Sequence, residues 1–362
     1  MTSAHATDAP QRQAPAGHAA VADPRDWRPS ESIGLPRARL IQPSGPKLGW
    51  MSRVSFWLLV AALHAISLLP DFVLYPLGML GGLAAFHLDK RHVRIGLKNL
   101  EIAYPQKNSP ERRQILRESY LNLGRSTAEY IRLAGFFHRR LARRVRYAPR
   151  FDVDKVLQLY HGHGILVLTA HFGNFELLPS AHAMHGFQIS LVHRTQRLLA
   201  ADKLMTFVRE RAGVQIIRKY AAARAVVRAL KDGDLVGIPF DQNVKRREAV
   251  FVPFFDMPAA TSSGLARLAQ MSDAGVLPVF LVREPDGRHH RIEIHEPIML
   301  QRSGDVEADV VENTRRFVKA VEDMVRRYPE QFLWTHRRYR TRPPGENPVY
   351  EWELQKSRRR KR

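Results

Sequence analysis

The chain of 362 residues carries 57 Lys and Arg against 35 Asp and Glu, a formal net charge of +22, with 44% apolar residues and no cysteine. The lack of cysteine excludes disulfide stapling, thiolate-ligated zinc and a thiol nucleophile, and this length holds one large domain plus attachments. The positive excess favours an anionic partner: nucleic acid, a phospholipid surface, or a phosphorylated or acidic-protein substrate.

Residues 1–48 are rich in Ala, Pro, Gln and isolated charges, without apolar periodicity, and read as a disordered extension. The sequence then changes character. Residues 54–70 hold no formally charged side chain and 72–88 hold none either, with only Asp71 between them. Each run as a helix reaches about 26 Å, a little short of the ~30 Å hydrocarbon core. Residues 49–88 therefore read as a membrane anchor, either one tilted span or a hairpin turning at Pro70-Asp71; a pair of buried core helices is the alternative. A hairpin leaves Arg53, Lys90, Arg91 and Arg94 on one side. The run starts too far from Met1, and continues too long, for a signal peptide. Gly78-x3-Gly82 would let helices approach closely, although such a match also arises by chance.

Ser109-Pro110 predicts a helix start with Ser109 as N-cap. Ile115, Leu116, Tyr120, Leu123, Tyr130 and Ile131 follow at three- and four-residue spacings, and then come Arg132, Arg139, Arg140, Arg143, Arg144 and Arg146. A basic amphipathic stretch beside an apolar anchor suits an anionic membrane face, or equally the solvated side of a soluble helix.

The sharpest signal is at 165–178. Four apolar residues, 165–168, form a short buried strand; the chain must turn at Phe172-Gly173-Asn174, and a helix starts from Asn174 as N-cap. His171 then lies at the carboxyl end of a strand, where ligands bind in open α/β sheets, and Glu176 lies in the first helical turn. A neutral imidazole can take the proton of an attacking hydroxyl, and a carboxylate on its other nitrogen fixes the tautomer. His171 is the candidate base and Glu176 its candidate partner. The spacing alone is weak, since composition gives about 1.5 such pairs by chance. His18/Asp23 in the polar N-terminus is the accidental one.

Beyond this element strands at 189–192, 235–240 and 276–282 alternate with helices at 200–211, 221–231 and one opened by 259–262 and running to Met271; 291–295 alternates as a half-buried or edge strand. The strand at 235–240 delivers Asp241 to its carboxyl end just as the strand at 165–168 delivers His171. This order predicts an α/β domain over 89–345 with a mostly parallel sheet flanked by helices. His161/His163 and His182/His185 lack a carboxylate arrangement that closes a metal site, so no metal is expected. Lys356 to Arg362 has six positive charges, within a basic tail over 346–362. A tail held against anionic lipid is the simpler reading; nucleic-acid binding is disfavoured, because no helix-turn-helix, zinc module or aromatic stacking pattern accompanies the charge.

With His-Phe-Gly-Asn-Phe-Glu at 171–176, Phe-Asp-Gln-Asn at 240–243, Phe-Val-Pro-Phe-Phe at 251–255 and Pro-Glu-Gln-Phe-Leu-Trp-Thr-His-Arg-Arg at 329–338, the chain resembles the bacterial lipid A biosynthesis acyltransferases. The likeness runs from about residue 50 to 345. Phe175 and Phe332 stand where many members carry Trp. The resemblance implies a glycerolipid-acyltransferase-like fold and an inner-membrane enzyme with a cytoplasmic-facing site and no cofactor. It would move a fatty acyl chain from an acyl carrier protein thioester to a hydroxyl of a phosphorylated glycolipid. The family's His-x4-acid pair falls on His171 and Glu176, its downstream arginine on Arg209 or Arg211, and its later aspartate on Asp241.

Thioester attack generates an oxyanion, which an arginine or backbone N–H stabilises; Arg209, Arg211, Asp241 and Asn174 are the candidates for oxyanion and substrate binding. The zero cysteine count and lack of a Gly-x-Ser-x-Gly element argue against an acyl-enzyme. Arg194, Arg197, Lys245, Arg246 and Arg247 are candidate contacts to the acidic carrier and the phosphorylated acceptor, with a solvated basic face as the bland alternative. An acyl-coenzyme A donor with another lipid acceptor, and a non-catalytic membrane or nucleic-acid binding protein, remain as rival readings.

Overall fold

A computed structural model describes residues 49–136, 138–148, 164–196, 198–218, 222–350 and 352. The extension 1–48, His161, His163, Arg197 and the tail beyond 352 lie outside the described residues. Seven strands form one sheet in the order β1 (Val145–Tyr147), β9 (His290–Ile294), β8 (Gly275–Arg283), β2 (Ile165–Thr169), β5 (Leu235–Pro239), β3 (Ile189–His193), β4 (Gln215–Arg218). Every pairing is parallel except β8 with β9. Alternate residues of β2 divide the core. Leu166 and Leu168 enter one cluster with residues of α7 (Ala222–Lys231), α8 (Gly264–Ser272) and α9 (Val306–Arg327); Ile165 and Val167 enter another with α5 (Leu177–Met184) and α6 (Leu199–Arg211). A strand covered on both faces has to be apolar throughout, which is why 165–168 reads as a run rather than an alternation.

Three sequence expectations change. Residues 259–262 do not open a helix: β7 (Met257–Ser262) pairs antiparallel with β6 (Ala249–Phe254), and α8 starts only at Gly264. The hairpin's cross-strand pairing overrides the helical preference of its two alanines. Of the two readings of 291–295, half-buried or edge, the edge one is overturned, because β1 pairs along the outer side of β9, whose residues are buried or partly buried. The N-cap of α4 (Ser109–Ala134) is Asn108, whose side chain accepts from the Glu111 N–H at 2.9 Å while Glu111 accepts from the Asn108 N–H at 2.7 Å. This reciprocal box satisfies two orphan donors where Ser109 would satisfy one.

The apolar segment forms two helices, α1 (Trp50–Ile66) and α2 (Asp71–Leu88), the second long and apolar enough to cross a membrane by length and composition. Both are fastened to the domain. α2 runs antiparallel along α4, with Gly78 and Gly82 against the backbone of Gly124 and Tyr120; a Cβ at Gly78 would stand 2.4 Å from the Gly124 carbonyl oxygen, and one at Gly82 2.3 Å from that of Tyr120. The Gly-x3-Gly spacing thus serves a close helix crossing. α1 packs on α6 through Phe56 and Phe207, ring centroids 5.8 Å apart. Arg132 donates to Asp71 and to the Ser67 and Leu69 carbonyls, and Arg144 pairs with Asp71. Two arginines read as surface cations therefore hold the turn between the helices.

Beneath α2 lies a buried polar hub. The Glu129 carboxylate of α4, fully enclosed, accepts from the guanidinium of Arg283 at 2.5 and 2.9 Å, the His290 ring at 2.9 Å, the Tyr75 hydroxyl at 3.0 Å and the Asn174 amide at 2.7 Å. Burial alone would raise its pKa; the facing His290 and Arg283 outweigh that and hold it well below the usual carboxylate range. Glu129 and Arg283 neutralise one another, so deleting one strands the other. Glu129→Ala is expected to lower stability by about 3–5 kcal/mol, read as the shift in denaturant midpoint, whereas an unshifted midpoint would show that the hub is not structurally required.

Candidate active site

The parallel register of β2 and β5 builds the site. Thr169 lies opposite Pro239, and both chains leave the sheet there, so two residues further on His171 and Asp241 stand side by side. One Asp241 oxygen accepts from the His171 backbone N–H at 3.0 Å and from its ring Nδ1–H at 2.9 Å. With Nδ1 committed as donor, Nε2 carries the lone pair of the neutral ring, and the Gln242 amide donates to it at 3.1 Å. Burial works against the imidazolium, but the charge and hydrogen bond of Asp241, with a smaller contribution from the Glu176 charge, raise the His171 pKa above the ordinary 6.5. Asp241 is desolvated, which alone would raise its pKa, yet His171 holds it down to about 2.

The carboxylate that orients His171 is thus Asp241, and the expectation that Glu176 does so is corrected. No hydrogen bond joins Glu176 to the ring. Glu176 stands just before α5 and receives Arg209 of α6 bidentately, at 3.0 Å from Nε and 2.7 Å from Nη2. A third nitrogen of Arg209, Nη1, reaches His193 Nδ1 at 2.9 Å, and His193 Nε2 faces Asp202 at 2.7 Å. Asp202 in turn accepts from Arg218 at 2.8 Å and from the Gln196 N–H at 2.8 Å. A guanidinium has five N–H groups, so these three contacts leave two on Arg209. Burial, supported by the neighbouring Arg209 charge, lowers the His193 pKa even with Asp202 alongside, which keeps the ring neutral and able to accept from Arg209.

The turn between His171 and Glu176 is clamped on all sides. Gly173 has φ +56, and a Cβ there would stand 1.8 Å from the Leu281 carbonyl oxygen. Its N–H donates to the Gln331 carbonyl at 2.8 Å, and its own carbonyl accepts from Asn122 at 3.2 Å. Phe172 bridges to Phe332, and the Leu333 N–H donates to the His171 carbonyl at 3.0 Å. The motif at 329–338 therefore backs the motif at 171–176. Its His336, driven down to a pKa of about 4 by burial, accepts from the Asn243 N–H at 3.0 Å and so ties the strand end carrying Asp241 to the same tail. Phe175 lies with its ring 4.8 Å from that of His171.

The other candidates divide. Asn174 is enclosed and engaged structurally, donating to Glu129 and accepting from the Leu177 N–H at 3.1 Å, but α5 starts later than its sequence position suggested, with Glu176 rather than Asn174 as the N-cap residue. Arg211 is engaged elsewhere, donating to His64 of α1 at 2.9 Å and to the Ala134 carbonyl, which leaves Arg209 as the arginine beside Glu176. Lys245, Arg246 and Arg247 are exposed on the stretch that leaves Asp241, and Arg194 is exposed just beyond β3. Sequence reading passed over Glu129, Arg283, His193 and Asp202. Each is a charged or polar residue inside an element, and only its burial distinguishes it from surface residues of the same kind.

A family model described as bacterial lipid A biosynthesis acyltransferase matches residues 43–341. The chain belongs to this family. It is 32% identical over 292 residues to the lipid A biosynthesis lauroyltransferase of Escherichia coli (strain K12), covering 80% of this chain and 92% of that protein. The palmitoleoyltransferase of the same organism is 30% identical, over 84% of this chain and 94% of its own length, and the myristoyltransferase 26%, over 82% and 90%. The chain is accordingly an O-acyltransferase of the lipid A biosynthesis family.

Gly173→Ala tests the clamp. It is expected to speed amide exchange at Gly173 and Leu333 while β2 and β8 stay protected, with a stability loss of about 1–3 kcal/mol. Unchanged exchange at those two amides would show that the turn is not held as described.

Proposed function

We propose that the enzyme transfers a fatty acyl chain from an acyl carrier protein thioester to a hydroxyl of a lipid A precursor, with His171 as general base and no acyl-enzyme. The observation that carries this reading is the His171 ring, fixed through Nδ1 to Asp241, with its basic Nε2 turned toward the exposed Gln242 side chain. An acceptor hydroxyl replaces Gln242 at Nε2 and gives up its proton as its oxygen attacks the thioester carbonyl. The new C–O bond produces a tetrahedral oxyanion; this collapses, breaking the C–S bond, and the imidazolium returns the proton to the departing thiolate of the carrier. Asp241 stabilises the imidazolium in between. Arg209 serves the oxyanion with its remaining N–H groups, and Glu176 holds it in position.

The same reading assigns Lys245, Arg246, Arg247 and Arg194 to the acidic carrier and to acceptor phosphates, since they are exposed on segments leaving β3 and β5. It sets the enzyme at the inner membrane with the site facing the cytoplasm. The assay is incubation of the detergent-solubilised protein with acyl carrier protein thioester, acyl-coenzyme A as the competing donor, and a tetra-acylated lipid A precursor. A penta-acylated product from the carrier thioester alone is expected, and its complete loss in His171→Ala. Product at wild-type rate in that variant would remove His171 as base; product from the coenzyme donor alone would remove the carrier.

The pH profile tests Asp241 separately. Since the base must be neutral and its pKa is raised by Asp241, kcat/KM is expected to rise with pH through an apparent pKa above 6.5. Asp241→Asn removes the charge that favours the imidazolium, so the acid limb should move to lower pH while the plateau falls. A limb that does not move would mean that Asp241 is not the partner of the base.

A further inference from the structure

The two apolar helices are tied to the domain along their whole length. The start of α2 is held at Asp71 by Arg132 and Arg144, its middle by the glycine crossing with α4, and its end by Phe86, whose ring meets Tyr120 at 5.6 Å. α1 is held near its start by Phe56 against Phe207 and near its end by His64 against Arg211 and the edge of Phe136. α4 carries the buried Glu129, which is paired with Arg283 and His290 of the sheet, and cannot enter hydrocarbon. Neither helix can cross a bilayer while these contacts stand, because both ends of each rest on the same polar domain. As a spanning hairpin, the turn at 67–71 would lie on the far side of the membrane, away from the arginines that hold it.

The outward side is nonetheless apolar. Val54, Trp57 and Leu58 on α1, Leu68 in the turn, and Phe72 and Leu80 on α2 are each more than half exposed, while Phe56, Leu74 and Phe86 face inward. Beside the turn, where Gly135 abuts Ser67, the chain continues through exposed Phe136 into the basic turn 138–144 with exposed Arg139 and Arg143. An apolar strip with exposed arginines beside its turn, on a chain of net charge +22, fits the headgroup boundary of an anionic leaflet, into which such a face sinks by about 5–10 Å.

Resting on the membrane location proposed above, we infer that α1 and α2 form an in-plane docking surface for an anionic phospholipid leaflet, entering one leaflet from the side of the active site and spanning neither as one helix nor as a hairpin. The chain has no cysteine, so single thiols report cleanly. Met51→Cys, Leu68→Cys and Lys90→Cys mark the start of α1, the turn and the far end of α2. In intact spheroplasts treated with a membrane-impermeant maleimide, all three are expected to stay at background, and all three to react once the membrane is dissolved in detergent. Labelling of Leu68→Cys in intact spheroplasts would establish a spanning hairpin, and labelling of Met51→Cys a single span; either overturns the inference. Wild-type protein recovered wholly in the supernatant after cell breakage would instead remove the membrane location itself. In that case a dimer on gel filtration would identify a second copy as what covers the strip.

Discussion

The parallel pairing of β2 with β5 is the constraint on which the site depends. Parallel neighbours end on the same side of a sheet, and an in-register pair releases both chains at the same height. With Thr169 opposite Pro239, the second residue beyond each strand end is His171 on one chain and Asp241 on the other. A shift of one residue in this register would turn alternate side chains to the opposite face and separate them. The apolar runs that bury both faces of β2 therefore also position His171 beside Asp241, since they hold the register.

Around that pair the protein spends buried polar groups on rigidity. Gly173 gives the turn a conformation and a closeness to Leu281 that a side chain would prevent, and Asn122, Gln331 and Leu333 take up the polar groups of 171–173. Asn174 passes the connection inward to Glu129, where Arg283, His290 and Tyr75 converge. Tyr75 belongs to α2, so the apolar helix and the turn carrying His171 meet on one carboxylate. Both oxygens of the Glu129 carboxylate are engaged in this network, which stiffens it.

The second carboxylate of the motif has a different setting. Glu176 is paired with Arg209, and behind Arg209 a neutral His193 and the enclosed Asp202 fix the guanidinium. The arrangement separates two tasks by environment. The Asp241 carboxylate faces an imidazole ring, whereas the Glu176 carboxylate faces a guanidinium.

The sequence by itself determined the alternation of strands and helices, the apolar character of 54–88, and the placing of His171 and Asp241 at strand ends, because these follow from periodicity and turn chemistry over short windows. It also supplied the Gly-x3-Gly spacing, without its partner. Only the tertiary structure decided which carboxylate meets the imidazole. Glu176 is five residues from His171, but the turn at Gly173 and the start of α5 carry it to Arg209; Asp241, 70 residues away, arrives through the sheet. It likewise decided that Gly78 and Gly82 lie against α4 rather than another membrane helix, and that Glu129 is a hub rather than a surface charge. The physical reason is the same in each case. Local pattern sets how a segment folds, whereas the partner of a charged or small side chain is set by strand register and helix packing between residues far apart in the chain.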